Sequence, residues 1–462
     1  MSRPGGTLFA SLAFGAATLF PMLSLAGTVF DRDAAFGNQG TADVWFDAGQ
    51  QNKDAGRALL RRADGDIDVI AQVQIATTDR YGVGLQRMTP GGTRVGITQV
   101  IATPQLSAVV DAVRTQDGKI VVLGRRPSDA NPSNQSVVVM RLDAGYVLDP
   151  TFDGIGWRSY DIVDSGIPRS AFPRALVSLA SGDIVVIGDA YANSTTWSLK
   201  LVLAQNGSVR RSCSADTSLE YTSLATAASN SAGSADDVLL ALRQRSTGAL
   251  KLSVESADSG SCGASNGQIT INVPILCPHP GAPTSTSVNG TLLRTDDAST
   301  ASASYLLATG TDPPFDEVRA AVIDINLTAS GGPSVQWASC GLGDISTTRL
   351  AQSDNRQQVF LTGWRCAGCV NGITDTAAAV LKRSGSSFLA YPVPLPFQGV
   401  PGFQRQISYF DAGTYRTAVI ATPGLANSFV LSGTRTLGSG PDDDVVTTRH
   451  GLVPAMFENG FE

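Results

Sequence analysis

Seven short apolar runs recur along the chain, and their spacing restricts the folds open to it. The clearest copies are Ile120-Val121-Val122-Leu123-Gly124 after Gln116-Asp117-Gly118-Lys119, and Ile184-Val185-Val186-Ile187-Gly188 after Ala180-Ser181-Gly182-Asp183. In both, a glycine-containing turn feeds a β-branched strand that stops at glycine. Worn copies lie at Ile67–Ala71, Val238–Leu242, Tyr305–Gly310, Val359–Gly363 and Phe429–Gly433. The intervals alternate between shorter and longer and average about sixty residues, too long for one coil of a solenoid.

Further landmarks accompany the copies. A second strand ends in a turn at Val137–Leu142, Trp197–Leu203, Leu250–Val254 and Ala377–Leu381. A third precedes the first turn at Val109–Arg114, Ala175–Leu179 and Arg416–Ala421, and a fourth follows at Ile155–Ile162, Gln268–Val273 and Ser334–Ser339. Four antiparallel strands per repeat make a propeller blade, so the pattern predicts an all-β, seven-bladed β-propeller of four-stranded antiparallel blades. Composition agrees: 16% charged residues with 48 Gly and 23 Pro suits many short strands and turns rather than long helices. A net charge of −6 with interspersed signs offers no basic stripe, so nucleic acid is not an expected partner.

The residues Gln116–Gly124, then Met140-Arg141-Leu142-Asp143-Ala144-Gly145, then Leu148-Asp149-Pro150-Thr151-Phe152-Asp153-Gly154-Ile155-Gly156 resemble the delta-60 repeat of exported bacterial proteins. The resemblance covers Val109–Gly156 best and Arg174–Val209 less closely. The family pattern prefers glycine where Asp153 stands, and the N-terminal stretch Phe30–Gly40 keeps that residue as Gly37. The resemblance implies a propeller repeat and little about activity.

Ring closure follows from the two ends. Phe30–Gly40 and Thr41–Asp47 form the tail half of a repeat, whereas the seventh copy stops after its third strand, at Asp444–Leu452. Pairing Ala42–Phe46 with Val445–Thr448 would supply the missing outer strand and close the ring by an N-terminal strand. Arg3, the apolar Leu8–Phe20 and Ser24-Leu25-Ala26 read as a signal peptide over residues 1–26, cleaved after Ala26. The expected protein is therefore exported, to the periplasm, cell surface or medium, as one propeller domain over 27–453. It is expected to be a monomer without a membrane span. The tail at 454–462 resembles the aromatic, glycine and acidic ending of many exported proteobacterial proteins, with a plain chain end as the other reading.

The six cysteines, Cys213, Cys262, Cys277, Cys340, Cys366 and Cys369, read as disulfide candidates in an exported chain. Cys366 with Cys369 is the local pair, and Cys213 with Cys262 and Cys277 with Cys340 are the further pairings offered. A zinc site would need a second ligand pair, and His279 and His450 are the only histidines. No nucleophile elbow stands beside either histidine. Carboxylates that could meet over a central channel are Asp153, Asp161, Asp164, Asp189, Asp312, Asp316 and Glu317, with none assigned a catalytic role. Calcium is a minor alternative at Asp64-Gly65-Asp66-Ile67-Asp68 and Asp442–Asp444, which lack EF-hand spacing. No catalytic, cofactor or metal residue is therefore assigned. The functional expectation is a non-catalytic binding platform for a glycan, peptide or protein. A polysaccharide hydrolase or lyase, or an envelope scaffold or adhesion component, are the alternatives.

Overall fold

Ile120–Leu123 is apolar at every position because this strand has a neighbour on each face. Val121 and Leu123 pack with Ile184 and Val186 of the following repeat, while Ile120 and Val122 pack with Ile70, Val83 and Leu85 of the preceding one. Strict alternation would leave one face wet, so a continuous run marks a strand sandwiched between sheets. The structure, a computed structural model, describes residues 29–453 apart from 39, 47, 49–52, 77–79, 165, 215–216 and, beyond residue 226, most of the segments between strands.

Among the described residues, the strands form seven antiparallel sheets with no helix, in a propeller-like arrangement. The first sheet is Ala55–Arg61, Ile67–Ala76, Arg80–Met88 and Arg94–Leu106; the second is Ala108–Arg114, Ile120–Pro127, Gln135–Leu142 and Trp157–Tyr160. The third is Ile162–Asp164, Ile167–Ser178, Ile184–Ala192, Thr195–Leu203 and Val209–Ser214. The fourth and fifth run from Leu219–Thr226 to Ile271–Asn272 and from Val288–Arg294 to Ser334–Ser339. The sixth starts at Ser346–Gln352, and the seventh joins Ala418–Ala421, Ser428–Thr436 and Asp443–Val453 to Val29–Arg32 and Thr41–Val44. Leading strands touch in order, Ala55–Arg61 against Ala108–Arg114, then Ile167–Ser178, and onward to Ala418–Ala421, which returns to Ala55–Arg61.

Four strands per sheet needs correction: the third, sixth and seventh sheets have five among the described residues. In the third, the stretch Ile155–Ile162 is not one strand. Trp157–Tyr160 pairs with Val137–Met140 of the second sheet, whereas Ile162–Asp164 has crossed to pair with Ile167–Arg169. In the seventh, Thr41–Val44 pairs antiparallel with Thr448–Val445, and Val29–Arg32, not anticipated as a strand, pairs with Val453–His450. Bulges in the leading strands also escaped the sequence. They fall at Gly56/Ala58, Val109/Asp111, Pro173/Ala175, Tyr221/Ser223 and Thr347/Arg349.

The Asp-Gly turns are three-residue hairpins. Gly65, Gly118 and Gly182 have φ of +91°, +83° and +84°, and their amides bond back to Arg62, Thr115 and Leu179. That is a type I turn closed by a left-handed residue, where glycine has no Cβ penalty. In the Asp143-Ala144-Gly145 turn the left-handed residue is Tyr146 (φ +67°), one position beyond the expected glycine.

The Leu148–Gly156 segment fastens one sheet to the next. Asp149 accepts from Arg141 Nε at 2.8 Å, while Arg141 Nη1 donates to the Gln205 carbonyl of the third sheet. Phe152 is fully buried 5.2 Å from the Arg141 guanidinium, and the Asp153 amide bonds the Asn206 carbonyl at 2.9 Å. Gly207 closes the contact, since a Cβ there would stand 3.1 Å from the Phe152 ring. Burial would raise the Asp149 carboxyl, but Thr151, Lys119 and Arg141 outweigh it and hold it well below the usual range. A depressed carboxyl stabilises the fold above its unfolded pKa of about 3.9, and that contribution is lost as pH falls through the folded value. The loss begins as pH falls past that unfolded value, so thermal midpoints measured from about pH 6 down to about pH 3 are expected to fall less for Asp149→Asn than for the unsubstituted protein, with the gap still widening at the acid end. Parallel curves would count against the assignment.

Candidate functional site

Along Ile184–Ala192, residues of one parity face the second sheet and those of the other face the fourth. Val185 and Ile187 join Val202, Leu219 and Tyr221 in an apolar seam between the third and fourth sheets. Two and four residues further on, the same strand face carries Asp189 and Tyr191. The seam thus turns from apolar to ionic along its length.

Arg174 is the extra residue of the bulge between Pro173 and Ala175, and bulges commonly re-aim a side chain. Its Nε lies 2.8 Å from Asp189 Oδ2 and its Nη2 2.5 Å from Glu220 Oε1. Arg245 grips the other Asp189 oxygen at 2.9 Å and donates to the Thr196 carbonyl at 3.1 Å. The Asp189 carboxyl is 1% exposed and that of Glu220 6%, whereas Arg174 keeps 31% of its side chain in solvent. Burial pushes the Asp189 carboxyl up, with Glu220 adding to the rise and the arginines opposing it. Burial alone would lower Arg174, but Asp189 and Glu220 more than restore it and leave it raised. Tyr191 is raised by burial and then by Asp189.

An aromatic edge borders this network. The rings of Tyr191 and Phe172 meet edge to face at 5.0 Å and 86°, Arg125 lies 5.0 Å over Phe172, and Tyr191 remains 38% exposed. Two arginines against two buried carboxylates leave these four groups charge-balanced, with guanidinium donors held rigid beside an exposed phenol ring. The site can offer hydrogen bonds and a stacking surface.

Of the channel carboxylates named from sequence, Asp189 alone joins this cluster among the described residues. Asp153 pairs with Arg158 at 2.9 Å, Asp161 accepts from the Ser136 hydroxyl, and Asp164 ends a strand paired to Ile167. Asp312, Asp316 and Glu317 lie outside the described residues. His279 lies outside as well, and His450 falls in the last strand, paired through backbone with Phe429 and Arg32. The proposed calcium carboxylates Asp64, Asp66 and Asp68 have arginine partners in Arg62, Arg87 and Arg114. No group of three or more His, Cys, Asp or Glu is placed to hold a metal among the described residues. Cys213 stands in strand Val209–Ser214 and is disulfide-bonded, while Cys262, Cys277, Cys340, Cys366 and Cys369 lie outside the described residues. No described helix is long and apolar enough to cross a membrane.

Arg174, Tyr191, Glu220 and Arg245 were not singled out from sequence. The available signal was the period-two set Val185, Ile187, Asp189, Tyr191, which places an acid and a phenol on the face of an otherwise buried strand.

No protein-family model matches the chain, and no curated protein does. Solved structures resemble it at low identity. A protein of unknown function from Dyadobacter fermentans is 9% identical over 90% of this chain and 98% of its own, with a TM-score of 0.45. The polysaccharide lyase Uly1 is 10% identical over 93% and 98%, with a TM-score of 0.46. A Lactobacillus plantarum protein is 10% identical over 73% and 85%, with a TM-score of 0.44. Likeness at this level bears on neither ligand nor activity.

Proposed function

We propose that this chain is an exported seven-bladed propeller of the delta-60 repeat kind, closed by its N-terminal strand, and that it is a non-catalytic platform binding a glycan between the third and fourth blades. The exposed Tyr191 ring beside the Arg174–Asp189–Glu220–Arg245 network carries the reading. A sugar ring presents apolar C–H groups on one face and hydroxyls around its rim. Tyr191 suits the first, and the solvent-facing parts of the Arg174 and Arg245 guanidinium groups suit the second. Because the network is charge-balanced, a neutral polyhydroxylated ring matches it better than a strongly anionic one. Rigid donors also spare a ligand part of the ordering cost of binding.

Calorimetry of the full chain against neutral and uronate-containing oligosaccharides tests this directly. Tyr191→Ala is expected to weaken binding of a neutral oligosaccharide by about tenfold or more, in keeping with an interfacial aromatic anchor. Equal affinity in both proteins places the ligand elsewhere. New reducing ends or unsaturated products during incubation replace the platform with the hydrolase or lyase alternative.

A further inference from the structure

The fastening seen between the second and third sheets has a counterpart whose parts come from opposite ends of the chain. Arg449 donates from Nε and Nη2 to Asp33 Oδ2 at 3.0 and 2.7 Å, as Arg141 does from Nε to Asp149. Its Nη1 reaches the Pro90 carbonyl of the first sheet's outer hairpin at 2.5 Å, the place that Gln205 holds for Arg141. Phe36 is fully buried 5.3 Å from the Arg449 guanidinium, and the Gly37 amide bonds the Gly91 carbonyl at 2.8 Å. Gly92, with φ of +81°, would bring a Cβ to 3.0 Å from the Phe36 ring, just as Gly207 stands against Phe152. The Asp33 amide bonds the Arg449 carbonyl at 2.9 Å, as the Asp149 amide bonds that of Arg141.

We propose that Asp33, Phe36 and Arg449 form a clasp fastening the seventh sheet to the first, and that the ring opens at this seam before any other. Arg141 and Asp149 are eight residues apart, so their clasp stays tethered when it loosens, whereas Arg449 and Asp33 are separated by 416. Besides the clasp, the N-terminal segment is held by the two short pairings of Val29–Arg32 and Thr41–Val44 with Asp443–Val453 and by Phe36, Ala42, Val44 and Phe46, which pack with Leu59, Ile67 and Val69 of the first sheet and Val445 of the seventh, none of it backed by a covalent link across the seam. A chain-terminal segment that no covalent link ties across its seam can open locally, below the cost of global unfolding.

Hydrogen exchange read by mass spectrometry on the full chain tests the clasp. Arg449→Ala is expected to speed exchange over 29–46 and 443–453 by about tenfold or more while strands 120–127 and 184–192 keep their protection. Arg141→Ala should leave 29–46 protected, and adding Asp33→Ala to Arg449→Ala should change little further. If Arg449→Ala does not fold, Arg449→Lys should give the same local pattern at smaller amplitude, because it keeps the charge and loses the two-nitrogen grip. Unchanged protection at 29–46, uniform acceleration across all sheets, or additive effects of the two substitutions would overturn the proposal.

Discussion

Asp68→Ala is expected to destabilise the protein by about 3–5 kcal/mol, the range for removing one partner of a buried charge cluster. Asp68 has no solvent exposure and takes three donors. Arg62 Nη1 stands at 3.2 Å, the Tyr146 hydroxyl at 2.5 Å, and Arg114 Nη2 is a third close partner. These donors join two sheets, since Arg62 and Asp68 belong to the first and Arg114 and Tyr146 to the second. Alanine would leave two guanidinium groups and a phenol facing one another across the seam. Arg114 would retain its bonds to the Arg61 and Gly118 carbonyls, so the loss centres on charge. Asp68→Asn, which preserves shape and removes charge, should fall between the two proteins. Tyr146 holds the left-handed backbone that its turn requires, its amide bonded to the Asp143 carbonyl, and its hydroxyl bond to Asp68 ties that turn across the seam. A double-mutant cycle with Tyr146→Phe in urea should therefore show coupling between the two positions. A loss below about 1 kcal/mol for Asp68→Ala would mean the arginines find other partners and the cluster is not a seam element.

Sequence reading reached those features whose chemistry is local. The run Ile120–Gly124 after Asp117-Gly118 is legible because turn and strand are neighbours in the chain and the turn requires a residue at positive φ. The partner strand of the N-terminal segment was legible as well, since two half-repeats are complementary in content, but the expected Ala42–Phe46 is corrected to Thr41–Val44, one residue earlier at its start and ending before Trp45. The observed register places Thr41–Val44 on Thr448–Val445. What sequence could not supply are contacts between sheets. Arg114 lies 46 residues from Asp68, and Arg245 lies 56 from Asp189. No spacing rule links such positions, because the strands between them vary in length and the bulges shift register inside them. The break at Asp161 escaped for a different reason. Apolar residues stand at Ile155 and Trp157 and then at Tyr160 and Ile162, and reading them as one strand passed over that slip of phase; Trp157–Tyr160 stays with the second sheet while Ile162–Asp164 pairs in the third.

Phe152→Ala is expected to cost about 3–5 kcal/mol, the range for truncating a fully buried aromatic core residue. The ring sits between the Arg141 guanidinium at 5.2 Å and the hairpin of the next sheet, where Gly207 would bring a Cβ to 3.1 Å of it. The ring also belongs to the buried cluster that holds Val139, Tyr160, Ile162 and Leu203, so truncating it opens a cavity between two sheets whose cost depends on how far those side chains relax into it. Gly207→Ala attacks the same contact from the other side. It adds a Cβ against the ring at a left-handed φ of +83°, and should destabilise by about 1 kcal/mol or more. With Phe152 already truncated the steric part of that cost disappears, leaving only the backbone part. The Gly207→Ala penalty, measured by urea denaturation, should therefore be smaller in the Phe152→Ala background than in the unsubstituted protein. Equal penalties in both backgrounds would show that ring and turn do not meet, and the motif's aromatic would then be an ordinary core residue rather than the wedge that holds one sheet to the next.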